Sequence, residues 1–200
     1  MSSATVPMPS TELSAPARQQ LLEVARRSIE EALHQGVPTR SNVPFDAELS
    51  APGASFVTLR ERGTHALRGC CGSIEARLPL AEDVWRNARA SAFADPRFPG
   101  LTRREWPNIA LHISVLSTPR PFAVASEAEL LRTLRPGIDG LVLEYGSHRA
   151  TFLPAVWEQL PESREFVRHL RAKAGLPPDF WSPQIRWSRY TVQEFGDETH

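Results

Sequence analysis

The stretch NIALHISVLS, residues 108–117, limits what this chain can become more than any other. Successive side chains of an extended strand point to opposite faces. Ile109, Leu111, Ile113 and Val115 therefore share one face, and Ala110, His112, Ser114 and Leu116 the other. Such alternation predicts a strand with a strongly apolar inner face. ASFVTLR (54–60) behaves the same way, with Phe56, Thr58 and Arg60 alternating with Val57 and Leu59. ERGTH then turns the chain and ALRGCCGSIE returns it, so a hairpin is expected with both cysteines on its second arm. GLVLEYGSHRATFLP (140–154) predicts a second hairpin turning at Gly146-Ser147, and PQIRWSRYTVQEF (183–195) a closing strand with a bulge.

Helices separate these strands. In residues 14–36 Ser14 suits the cap, Pro16 the first turn and Gly36 the end, while Leu21, Leu22, Ala25, Ile29, Ala32 and Leu33 form one apolar face. Arg26, Arg27, Glu30 and Glu31 read as its solvated face. A second helix opens at Pro79, buries Leu80, Val84, Ala88 and Ala92, and stops at Asp95-Pro96. Capping boxes are expected at Thr102/Glu105 and Ser126/Glu129, and two short helices across residues 155–176. Residues 1–13 have no periodicity and read as a disordered tail, and 37–53 as a proline-punctuated connection that Phe45 and Leu49 can pin. Hairpins and helices alternate without a βαβ rhythm, and 18 prolines mark many turns. The expected class is α+β, mainly antiparallel with flanking helices.

Charge and cysteine content exclude several functions. Lys plus Arg equals Asp plus Glu, 23 each, and no basic stripe occurs, which argues against nucleic acid. No apolar run reaches membrane-spanning length, and the N-terminus lacks the basic and apolar regions of a signal peptide, so a cytoplasmic protein is expected. Cys70 and Cys71 are neighbours, too close and too divergent for an ordinary disulfide, and read as two thiols. No ligand spacing suggests a metal site, and no cofactor is expected.

LRGCCGSIE resembles the L-R-G-C-x-G signature of the AMMECR family, and NARASAFADPRFPGLTRREW, HISVLSTP, GIDGLVLEYGSHRATFLPAVW and FVRHLRAKAGL resemble later family blocks in the same order. Together they cover roughly residues 18–195. The resemblance implies an AMMECR-like domain over residues 14–200: a larger part built from both chain ends around an antiparallel sheet, a smaller inserted part, and the signature near the cleft between them. It also implies a relation to protein A of the AmmeMemoRadiSam system, with a Memo-like protein and a radical S-adenosylmethionine (SAM) enzyme as partners. No settled reaction comes with the family. Cys71 departs from the pattern by standing where an aliphatic residue is common, so it reads as a small packed hydrophobe beside the signature thiol, Cys70; a resolving-thiol role stays open.

The residues themselves suggest a site. Arg68 and Cys70 would share a face of a regular strand, and Gly69 and Gly72 permit a bulge, positive φ or backbone approach to a ligand. Backbone N–H groups there and the Arg68 guanidinium would together receive a small anionic ligand or a carbonyl oxygen. In DPRF, Asp95 caps amides, Arg97 pairs with it or with an anion and Phe98 packs, and Asn87 lies on the helix leading there. Cys70 is the candidate nucleophile of a thiol-dependent enzyme, but no histidine stands out as its base; His65 reads as a solvent-facing residue near the hairpin turn and His112 as structural. Asp139 reads as a turn-capping carboxylate, and Trp157, Trp181 and Trp187 as packing residues.

Overall fold

A computed structural model describes residues 12–35 and 47–197. In chain order the elements are α1 (Ala15–Gln35), α2 (Ala47–Ser50), β1 (Pro52–Glu61), β2 (Leu67–Gly72), β3 (Leu78–Pro79), α3 (Leu80–Phe93), β4 (Ile109–Leu116) and β5 (Arg120–Pro121). Then follow α4 (Glu127–Thr133), β6 (Gly140–Tyr145), β7 (His148–Phe152), α5 (Ser163–Lys173), β8 (Arg186–Tyr190) and β9 (Val192–Gly196). The class is α+β with antiparallel pairing, as the alternation predicts. The chain divides into two compact units, one running to Val115 and resuming at Gln193, the other spanning Leu116–Val192.

In the first unit the strands order as β2-β1-β4-β9, with β3 pairing to β1. Val57 and Leu59 of β1, with Leu111 and Ile113 of β4, bury completely beside Leu21, Ala25 and Ile29 of α1 and Val84 and Ala88 of α3. Each such aliphatic side chain contributes ~1.5–3 kcal/mol. The α1 stripe also includes Val24 and Ser28, whose hydroxyl donates to the Trp85 carbonyl at 2.7 Å. Ser14 caps α1, accepting from the Ala17 amide at 3.3 Å. Leu49 is fully buried; Gly36 and Phe45 lie outside the described residues. So do residues 1–11 of the expected tail, whereas Leu13 is tied through both its N–H and its carbonyl to Gln193 of β9.

The second unit holds a sheet of order β5-β8-β6-β7. Phe166 stacks on Trp157 at 3.8 Å between centroids, and the Trp157 indole donates to the Asp139 carbonyl at 2.7 Å. Gly146, at φ +57°, makes the tight turn between β6 and β7. Asp139 caps its turn, accepting from the Arg135 amide at 2.9 Å and from the Arg135 guanidinium. Two expectations change here. The single closing strand is two, because Thr191 turns both its N–H and its carbonyl to Ser117, leaving β8 in one sheet and β9 in the other. The first short helix after residue 154 is a 3-10 turn, Pro154–Glu158.

Candidate functional site

β2 is an edge strand of the first sheet. Its register against β1 runs Phe56 to Gly72, Val57 to Cys71, Thr58 to Cys70 and Leu59 to Gly69, then jumps so that Arg60 meets Leu67. Arg68 is the extra residue of this β-bulge. A bulge redirects one side chain and breaks alternation, so the same-face relation that a regular strand would give Arg68 and Cys70 is lost. The Cys70 sulfur accepts from the Thr58 hydroxyl at 3.4 Å, whereas Arg68 reaches Glu105 and Phe98.

The glycines serve protein contacts. A Cβ on Gly69 would lie 2.1 Å from the Ser91 carbonyl oxygen, so Gly69 is what lets the end of α3 press onto the strand. A Cβ on Gly72 would lie 2.3 Å from the Phe56 ring and 2.6 Å from the Ser55 carbonyl oxygen. Neither glycine is among the positive-φ residues. The space a Cβ would take at each is filled by this chain. Asn87 is committed as well: its amide donates to the Ser55 carbonyl at 3.0 Å and to Asp83 at 2.9 Å. Asp83 also accepts from the Ser55 amide and hydroxyl and from the Ser73 hydroxyl, in a network clasping β1, the end of β2 and α3. Burial raises the Asp83 pKa against the pull of these hydrogen bonds.

Arg68 is 6% exposed. Its Nε donates to Glu105 at 3.0 Å, but Nη1 and Nη2 are sealed from solvent and have no partner. Glu105 is held by the capping box, accepting from the Thr102 amide and hydroxyl at 2.8 and 2.7 Å. Those Thr102 bonds, then Arg68, hold its pKa down to about 2. The Phe98 ring lies 5.8 Å from the Arg68 guanidinium and 5.5 Å from that of Arg97, within cation–π range of both.

Asp95 joins this turn to the signature strand. Its carboxylate accepts from the Cys70 amide at 2.9 Å, the Arg97 amide at 3.1 Å, and Arg97 Nε and Nη2 at 3.0 and 2.7 Å. The Arg97 guanidinium and then the Cys70 amide keep Asp95 far below the usual carboxylate range. Cys71 pairs with the buried Val57 but is itself only half-buried, and its amide donates to the Ser91 hydroxyl at 2.8 Å. Burial first, then Asp95, pushes its thiol pKa up.

Thr58 and Arg60 of β1, His112 and Ser114 of β4 and Glu194 of β9 line a recess of about 430 Å³ in the first unit, which Arg68, Asp95 and Arg97 do not line. Gly196 is needed there, since a Cβ would come 2.5 Å from His112 Nδ1. Burial, then Arg60, lowers the His112 pKa and favours the neutral imidazole. His65 is exposed, at φ 58° in the β1–β2 turn. Among the described residues no group of three or more His, Cys, Asp or Glu could hold a metal ion, and no helix is long and apolar enough to cross a membrane.

The sequence from residue 22 to residue 195 matches the AMMECR1 family. The chain belongs to the AMMECR1 family. Relatives of this AMMECR1 chain include a protein of Methanothermobacter thermautotrophicus, 35% identical over 93% of this chain and 97% of that one. Another, from Thermofilum pendens, is 38% identical over 94% of this chain and 92% of its own length. Among solved structures, uncharacterized protein PH0010 from Pyrococcus horikoshii is similar at a TM-score of 0.73 and 32% identity, covering 94% of each chain.

Within this AMMECR1 chain the structure brings Arg68, Glu105, Phe98 and Arg97 together, with Asp95 bound to the Cys70 amide. It pairs the Cys70 sulfur with Thr58 and gives Gly69, Gly72 and Asn87 internal contacts. Glu105 and Phe98 were legible only as a cap and a packing residue. Their tie to Arg68 spans 37 and 30 positions, and a signal for it would have required knowing where the bulge falls.

Proposed function

We propose that this AMMECR1-family chain is a non-catalytic component that receives a ligand or partner group around its LRGCCG strand. Its action with a Memo-like protein and a radical SAM enzyme is supported by the resemblance of the signature and its flanking blocks. One observation carries the binding reading: at the bulge of the edge strand β2 a guanidinium is almost wholly buried, with two of its three nitrogens unpartnered. Buried polar groups are nearly always satisfied, and an unmatched charged donor is destabilising unless something completes it. Co-purification with both proposed partners tests the reading. Capture at micromolar concentration by wild type and loss in Arg68→Met supports it; no capture by wild type defeats it.

A second reading is a thiol-dependent enzyme acting on a small anionic or carbonyl substrate, with Cys70 as nucleophile. It draws on Asp95, which fixes the Cys70 backbone amide, and on Arg97, whose raised pKa reflects first its bond to Asp95 and, more weakly, both thiols. Against it, the Thr58 hydroxyl donates to the sulfur and takes no proton from it, and among the described residues no histidine hydrogen-bonds Cys70. Nucleophilic catalysis needs a base within reach. Iodoacetamide alkylation of Cys70→Ser and Cys71→Ser separates the readings: a Cys70 rate no faster than that of a free thiol removes the enzyme.

A further inference from the structure

We infer that the group Arg68 receives is a carboxylate attached to an apolar moiety, and that the Phe98 ring is the movable cover over it. The inference rests on the binding reading above and specifies its ligand. With Nε committed to Glu105, the donors left on Arg68 are Nη1 and Nη2, the end-on pair of the guanidinium fork. Two parallel N–H groups match the two coplanar oxygens of one carboxylate. A phosphate asks for more. It brings roughly −1.5 to −2 charge and three acceptor oxygens, while Arg97 has already given Nε and Nη2 to Asp95, and the backbone at Gly69 is pressed against the Ser91 carbonyl. The two guanidinium charges here are already balanced by Glu105 and Asp95, so a monoanion disturbs the local balance less than a dianion.

The cover and the apolar preference come from the same turn. Phe98 is only half-buried, lies within cation–π distance of Arg68, and belongs to the turn closed by its own amide on the Asp95 carbonyl at 3.1 Å. Nη1 and Nη2 are sealed, so a ligand reaches them only once a neighbouring side chain moves, and the half-buried Phe98 ring, 5.8 Å from the guanidinium, is the one assigned that movement. The displaced ring then offers aromatic surface to whatever carries the carboxylate.

The test uses the whole protein with ¹⁵N-labelled arginine, reading the Arg68 side-chain resonances, assigned by their loss in Arg68→Met, during titration with phenylacetate, acetate or inorganic phosphate. Saturable shifts at concentrations at least about tenfold lower for phenylacetate than for acetate, with none from phosphate, are expected. Phe98→Ala is expected to strengthen acetate binding and to shrink the phenylacetate advantage. No saturable shift in wild type or Phe98→Ala overturns the inference and leaves a buried water as the partner; an equal response to phosphate overturns the carboxylate assignment. If the shifts fail while partner capture still depends on Arg68, the ligand class falls and the binding reading stands; Phe98→Ala decides the matter even if Arg68→Met does not fold.

Discussion

Each unit of this protein buries an arginine, and the two are buried differently. Arg171 of α5 is 0% exposed, and its Nη1 holds both the Glu127 carboxylate at 2.8 Å and the Pro178 carbonyl at 3.0 Å. One nitrogen thus fastens α5 to α4 and to the loop after α5, with Trp181 at 6.0 Å from the guanidinium. Its Nε and Nη2 are also unpartnered, so orphaned nitrogens alone do not mark a receptor. What distinguishes Arg68 is position. It lies at a bulge on an edge strand, and its acid is anchored by Thr102. Arg171 works as a bolt inside a core; Arg68 is held in place yet waits behind a removable side chain.

The largest effect that can break this contrast is on Arg171. Arg171→Ala should cost about 2–5 kcal/mol, because it empties the volume of one of the largest fully buried side chains and unties α5 from Glu127 and Pro178; urea unfolding followed by fluorescence measures it, and a loss below ~1 kcal/mol would erase the bolt. Next is Gly69→Ala, which forces a methyl against a backbone oxygen and should cost about 1–3 kcal/mol by the same assay. Were it silent, the close seat of α3 on β2 would be wrong. Arg68→Met should change stability by less than about 1 kcal/mol, since an apolar replacement relieves the desolvation of an under-partnered charge.

The smallest effect is a pH dependence. Glu105 has its folded pKa depressed from 4.5 to about 2. Its contribution is therefore fully present above about 4.5 and is lost as pH falls toward 2, the side on which the unfolded state binds the proton more readily. Asp95, also depressed, acts in the same direction. Acid unfolding followed by circular dichroism should show a shallower limb in Glu105→Gln between pH 4.5 and 2; an unchanged limb would mean that the capping box and Arg68 do not hold this carboxylate.

The contrast also explains what could be read from the chain alone. Elements set by local pattern were legible: the β4 alternation, the α3 stripe of Leu80, Val84, Ala88 and Ala92, and the Thr102/Glu105 and Ser126/Glu129 boxes. Asp95 and Asp139 were legible as turn caps because their partners lie two and four residues away. The Arg68 environment was not, because a one-residue slip between β1 and β2 turns the side chain away from Cys70, and no periodicity announces such a slip. Nor could the chain reveal that Gly69 is shaped by Ser91 and Asn87 by Asp83, contacts fixed only once α3 packs.

Unfolding of wild type and Arg68→Met, each with and without saturating phenylacetate, meets the central claim head on. A ligand that binds only the folded protein raises its stability by RT ln(1 + [L]/Kd). Wild type should gain about 2.7 kcal/mol at a hundredfold excess over Kd, and Arg68→Met should gain nothing while remaining as stable as unliganded wild type. Equal stabilisation of both proteins, or of neither, would contradict the account.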